Sequence, residues 1–237
     1  VLSLPETGEA RNGIRTMTRY IDTTGWARRD AFEHFRGFDK PFFNVCVRLD
    51  VAPLRSALAA TRPGAGLGLA CYFVAMTLAN RQEPFRLRLE AGRVRVHDTV
   101  GGSTTVLRPD GESFTFADIE PDADFDRFCA RARASIDAAR ARTARFDPRP
   151  DDHARIHFTT LPWIHFSSFS HARNWGGEDS VPKFAFGRAE PDGTRTWLPM
   201  SVEVHHALMD GVHVGRFVEA FEAMLDEPAA WLGGPPS

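Results

Sequence analysis

The sequence predicts an α+β protein, with helices flanking a mixed central β-sheet in one domain over residues 20–237. Three observations carry this. Short β-rich runs such as Phe42–Leu49, Arg155–Thr160 and Thr196–Val204 alternate with stretches of helical period. No internal repeat or long linker divides the chain. Its 237 residues, 43% of them hydrophobic and 19 of them Phe, suffice for one large aromatic-rich core.

In chain order, residues 1–19 are polar with little periodicity and are expected to form an arm. Trp26, Phe32 and Phe35 among charges predict a short amphipathic helix within Gly25–Phe38. Phe42–Leu49 alternates and reads as a strand, and Pro53–Thr61 as a helix opening on proline. A Pro/Gly loop is expected over Arg62–Gly68, then a buried helix over Leu69–Asn80. Phe85–Leu89 and Arg93–Val96, separated by Glu90-Ala91-Gly92, predict a hairpin, with further strands at Thr104–Leu107 and Phe114–Phe116. Asp122–Arg145 is the longest helical stretch, with Phe125, Phe128, Cys129, Ala132 and Ile136 on one face. A Pro- and Asp-rich loop over 147–152 ends it. Strands follow at Arg155–Thr160, Lys183–Arg188 and Thr196–Val204, and Val212–Leu225 closes the chain as a helix.

Composition narrows the function classes. A net charge of -2 gives no nucleic-acid footprint, and the basic run Arg131–Arg145 is interrupted by Asp137. No run approaches the roughly 18 apolar residues of a membrane span. Three widely spaced cysteines, Cys46, Cys71 and Cys129, suit free thiols in a reducing, cytoplasmic setting.

The chemistry concentrates in Val202–Phe217, VEVHHALMDGVHVGRF. A strand there runs into His205-His206, then three small or apolar residues, then Asp210-Gly211 and a helix. A histidine leaving a strand into a tight loop can present its imidazole to a cleft as a general base. Asp210 suits a carboxylate that locks the loop, and Gly211 permits the turn. Three other readings stand beside this one. His206, Asp210 and His213 could bind a metal, although no supporting Cys/His motif accompanies them. A serine hydrolase would need an elbow such as GxSxG, which is absent. Both histidines could simply be packed and satisfied.

The string HHALMDG resembles the HHxxxDG signature of the chloramphenicol acetyltransferase family. Three further stretches match in order: WARRDAFEHF (26–35), FRLRLEAGRVRVHDTV (85–100) and FTTLPWIHFSSF (158–169). The resemblance implies a two-layer fold and transfer of an acetyl group from acetyl-CoA, as co-substrate, to a hydroxyl of a small acceptor. No permanently bound cofactor or metal is implied. Position by position, it makes His206 the general base, pairs Asp210 with Arg28, and puts Thr159 at the oxyanion-stabilising hydroxyl. It also implies a homotrimer with active sites between subunits.

Several positions depart from the family. Its lysine-aromatic-proline segment, which contacts the coenzyme, is replaced by Gly66-Leu67-Gly68-Leu69, and a threonine near its active site by Ala185. In the acceptor pocket Phe35, Phe43 and Phe169 stay aromatic, while His34, Thr104, His171 and Arg173 bring polar character. Chloramphenicol is therefore the first acceptor expected. The alternatives are a biosynthetic acyltransferase acting on another hydroxylated metabolite, or a non-catalytic trimeric binding protein of the same fold. A dihydrolipoyl-type acyltransferase core shares the fold, but neither lipoyl domain nor linker is recognisable here.

Overall fold

The computed structural model describes residues 19–142, 153–173 and 178–233. The expected loop at 147–152 and the arm up to residue 18 lie outside the described residues. The arm's last residue, Arg19, instead pairs in a strand: β1 (Arg19–Tyr20) lies antiparallel to β4 (Arg93–Val96), which pairs with β3 (Leu87–Glu90).

The central sheet has seven strands. Along its path the order is β2 (Phe42–Asp50), β10 (Arg195–His205), β8 (Lys183–Phe186), β7 (Arg155–Thr160), β5 (Gly101–Leu107) and β6 (Phe114–Ile119). The short β9 (Glu190–Asp192) pairs with the start of β10. β10 runs antiparallel to β2 and β8, whereas β7 is parallel to both β8 and β5, so the sheet is mixed. Alternation decides which side chains enter the core. Leu198, Met200, Val202 and Val204 of β10 join Phe158, Phe184 and Phe186 beneath the helices. The intervening Ser201, Glu203 and His205 project from the other face.

The helices are α1 (Arg29–Phe35), α2 (Ala52–Thr61), α3 (Leu67–Arg81), α4 (Phe125–Ala141), α5 (Gly211–Asp226) and α6 (Ala229–Leu232). α3 is apolar nearly all round and buries nine residues, as a helix at the centre of a layer must. α4 and α5 each bury one stripe: Phe125, Phe128, Cys129 and Ala132 in α4, and Val214, Phe217, Phe221 and Leu225 in α5. Among the described residues no helix is long and apolar enough to cross a membrane.

Several boundaries differ from expectation for local reasons. α1 is half the expected length, because the chain turns at both Trp26–Arg29 and Phe35–Phe38. α3 starts two residues early, because Gly66 adopts an extended conformation as its N-cap. α4 starts at Phe125, where the Asp124 side chain accepts from the Arg127 amide, and ends at Ala141; residues 143–145 of the expected helix are outside the described set. Phe85 lies in a 3-10 turn (Glu83–Arg86) opened by Pro84 rather than in a strand. β5 begins at Gly101, hidden from a propensity reading by its two glycines. Gly102 needs to lack a side chain, since a Cβ there would stand 2.8 Å from the Phe158 ring.

Candidate active site

The loop that carries the motif is fixed from both ends. His205 closes β10 opposite Phe42, and the next amide, His206 N–H, donates to the Pro41 carbonyl at 2.7 Å. The Leu208 and Met209 amides return to the His205 carbonyl at 3.0 and 3.2 Å, making a tight turn. Its three middle residues are its anchors. Ala207 and Leu208 pack with Phe32, Leu87, Val94 and Val96, while Met209 enters the main core. The chain re-enters helix at Asp210, the N-cap of α5.

The two histidines have different work. His205 is 4% exposed, and its Nδ1 accepts from the Ala207 amide at 3.2 Å. Burial, helped by the Arg173 cation, pulls its pKa down to about 4. It is a neutral strut inside the turn. The His206 side chain is 32% exposed, so its ring is open to solvent. Its ring stacks on Phe35 with centroids 3.8 Å apart and planes 8° from parallel, and Phe43 tilts against it at 4.8 Å. Its Nδ1 is enclosed and lies 3.5 Å from Asp210 Oδ1. A carboxylate there favours the Nδ1–H tautomer, which leaves the Nε2 lone pair for a substrate proton.

Arg28 ties the loop to α1. One guanidinium nitrogen donates to Asp210 Oδ2, and the other to the His206 carbonyl at 3.0 Å. The Arg28 side chain is 13% exposed and that of Asp210 37%, so the pair is only partly desolvated. Its loss would cost less than the roughly 3–5 kcal/mol of a fully buried pair. Sequence reasoning missed a further tie: His213 Nδ1 accepts from the Asp210 amide at 2.9 Å. The spacing of an N-cap and its third helical residue was the available signal. His213 therefore caps α5, and among the described residues no group of three or more His, Cys, Asp or Glu side chains is placed to hold a metal ion.

The remaining expected residues fall into two other places. Thr159 pairs with Ala185, and Ala185 with Ser201 of β10. Phe158 stacks on Tyr72 of α3 and Thr160 Oγ1 lies 2.6 Å from the Tyr72 hydroxyl, so Thr159 between them projects from the opposite face. His206 is five residues and two strand spacings away, roughly 15–20 Å at standard sheet dimensions. One copy of the chain does not bring the two together. Thr104 is on the α3 side, with its hydroxyl 2.9 Å from Tyr72.

Phe169 and His171 meet edge to face at 4.7 Å in the segment after β7. That segment is held by a charge network absent from the sequence reading. The His171 amide donates to Glu203 at 3.1 Å and Arg173 Nε to the same carboxylate at 2.6 Å, while Arg173 also reaches Asp179 at 3.0 Å. Lys183 donates to Asp179 at 3.0 Å. Burial works against the Glu203 charge, but the hydrogen bonds from His171 and Arg173 prevail and hold its pKa down to about 2. Arg173 is thus a buried tether, packed 4.1 Å over the Phe42 ring, and not a pocket wall. His34 is exposed on α1, with its ring edge-on to Phe35 and Phe38 at 4.9 and 5.0 Å.

The assembled geometry is that of one accessible imidazole on an aromatic platform, with its inner nitrogen facing a carboxylate. The family model described as chloramphenicol acetyltransferase matches residues 17–222. A chloramphenicol acetyltransferase of Streptomyces acrimycini is 33% identical over 90% of this chain and 96% of its own length. One from Campylobacter coli is 29% identical over 87% of this chain and 98% of its own. A solved chloramphenicol acetyltransferase superposes with a TM-score of 0.78 at 25% identity, covering 88% of this chain and all of that one. The motif, the fold and the matched length together place this chain in the chloramphenicol acetyltransferase family.

Proposed function

We propose that the protein transfers an acetyl group from acetyl-CoA to a hydroxyl of a small acceptor, with chloramphenicol the first candidate. The observation that carries this is the half-buried His206 ring, with its Nδ1 turned to Asp210 and no hydrogen bond to its Nε2 among the described residues. Nε2 takes the acceptor hydroxyl proton as the oxygen attacks the thioester carbonyl. A hydroxyl aimed at the resulting oxyanion stabilises the tetrahedral intermediate, the role given to Thr159. Collapse expels the coenzyme thiolate, which recovers the proton from the imidazolium. Arg28 and Asp210 hold the loop and the tautomer and move no proton themselves.

The separation of Thr159 from His206 within one chain supports a site completed by a second copy, in a homotrimer with clefts between subunits. Phe35 and Phe43 then form the wall nearest the base, with His34 at its rim. Phe169, His171 and Ala185, on the side of Thr159, supply the facing wall from the neighbour. Leu67 and Leu69, at the start of α3, pack against the core, so the coenzyme is held by groups elsewhere. A cytoplasmic location fits the free thiols of Cys46, Cys71 and Cys129.

The exposed His34 favours a second reading, in which the acceptor is a more polar hydroxylated metabolite. Both readings are tested by mixing the protein with acetyl-CoA and a thiol reagent and screening acceptors. Rapid thiol release with chloramphenicol supports the first reading, and release only with polyhydroxylated acceptors supports the second. A chain that binds acceptor but releases no thiol with any of them is a binding protein, and the proposal fails.

A further inference from the structure

Asp210 serves two side chains at once. Its Oδ1 faces His206 Nδ1 at 3.5 Å, and its Oδ2 accepts from Arg28. The Asp210 side chain is nevertheless 37% exposed, so its line to His206 depends on how the backbone beneath it is set.

That backbone is held on both sides. The Asp210 carbonyl accepts from the His213 and Val214 amides at 3.0 and 3.3 Å, as the first carbonyl of α5. The Asp210 amide donates to His213 Nδ1 at 2.9 Å. An amide carries one hydrogen, so this bond sets the peptide plane that leads into Asp210.

The residue type at 213 matters as much as its place. The third helical position usually carries Glu or Gln for this purpose. A glutamate here would put a second carboxylate beside Asp210 and compete with it for Arg28. A neutral imidazole accepts the same amide without adding a charge. Three influences keep it neutral: burial foremost, then the Arg28 cation, with Arg216 adding to them, lower the His213 pKa from 6.5 against the opposing pull of Asp210. A protonated Nδ1 would instead meet the Asp210 amide as a second donor.

We infer that His213 is a positioning residue for acyl transfer: by accepting the Asp210 amide, it aims the carboxylate that holds His206 in its Nδ1–H tautomer. This rests on His206 being the base, and extends that reading to a side chain that acts through Asp210.

The test compares His213→Ala, His213→Leu and His213→Gln in the full chain. Leucine keeps the bulk of the side chain and alanine does not, but neither accepts a hydrogen bond. Glutamine restores an acceptor that does not titrate. With acetyl-CoA and chloramphenicol, kcat is expected to fall about tenfold in the alanine and leucine variants, the size of one hydrogen bond, with both KM values little changed. Glutamine should return kcat close to that of the parent. A second measurement needs no acceptor: 15N labelling of the nine histidines reads their tautomers directly. The His206 signals, identified by their loss in His206→Ala, should report Nδ1–H in the parent and the glutamine variant, and a mixture of tautomers in the other two. A parental His206 tautomer in His213→Leu would overturn the inference. So would a glutamine variant as slow as the alanine one, or a raised KM with kcat unchanged. Parental kcat in His206→Ala would remove the base and this role together, whereas a loss there with none in His213→Leu would remove His213 alone.

Discussion

His206 owes its accessibility to its neighbour's burial. The HH pair looks symmetrical in sequence, but β10 alternation sends the His205 ring to the sheet face away from the helices, where it is buried edge-on to Phe42 and its Nδ1 receives an amide. The chain then leaves the sheet, and the next ring is laid flat on Phe35. The apolar Ala207, Leu208 and Met209 are the reason the loop holds this shape without regular hydrogen bonding, since two clusters grip them. His206→Ala is expected to lower kcat for acetyl transfer by about 10²–10⁴, the range for loss of a general base, with acetyl-CoA affinity little changed. Steady-state kinetics with the best acceptor check this. A kcat within a fewfold of the parent would remove His206 from the chemistry.

Elements were legible where a single periodicity ran unbroken. β2, α2, α5 and the core of β10 could be read because their apolar positions recur at the right interval. The motif loop was legible too, because its spacing is a chemical requirement. What stayed hidden depends on the partner and not on the element itself. β1, with two residues, and β9, with three, are strands only because longer neighbours pair with them. The Arg173–Glu203–Asp179–Lys183 network joins residues up to 30 apart in the chain, so no local pattern announces it. Close approach is likewise invisible: a Cβ on Gly187 would stand 2.6 Å from Pro199 Cγ and 2.7 Å from the Ile164 carbonyl. Gly187→Ala is therefore expected to destabilise the junction of β8 and β10 by about 1–3 kcal/mol, read as a lower urea midpoint. An unchanged midpoint would show that the junction yields freely.

At the scale of the molecule, buried neutral histidines give stability a defined pH dependence. Burial holds His205 and His97 at pKa values of about 4, below the 6.5 of a free histidine. The unfolded chain thus binds more protons between these values, and stability is full above pH 6.5 and falls as pH drops toward 4. Glu203 adds a second loss below its ordinary value of 4.5, extending toward about 2. Urea midpoints at a series of pH values check this, and a flat profile from pH 7 to 4 would contradict it.

The proposed assembly also belongs to the whole molecule, because the sheet separates Thr159 from His206 within one chain. Mixing the inactive variants His206→Ala and Thr159→Ala, unfolding them together and refolding tests this most directly. If each site takes its base from one copy and its oxyanion donor from another, about a quarter of the sites in a random mixture regain both groups. The predicted result is recovery of about a quarter of parental acetyl-transfer activity, where neither variant alone is active. A mixture no more active than the two variants assayed apart would contradict a site shared between copies, and with it the pairing of His206 and Thr159 in one reaction.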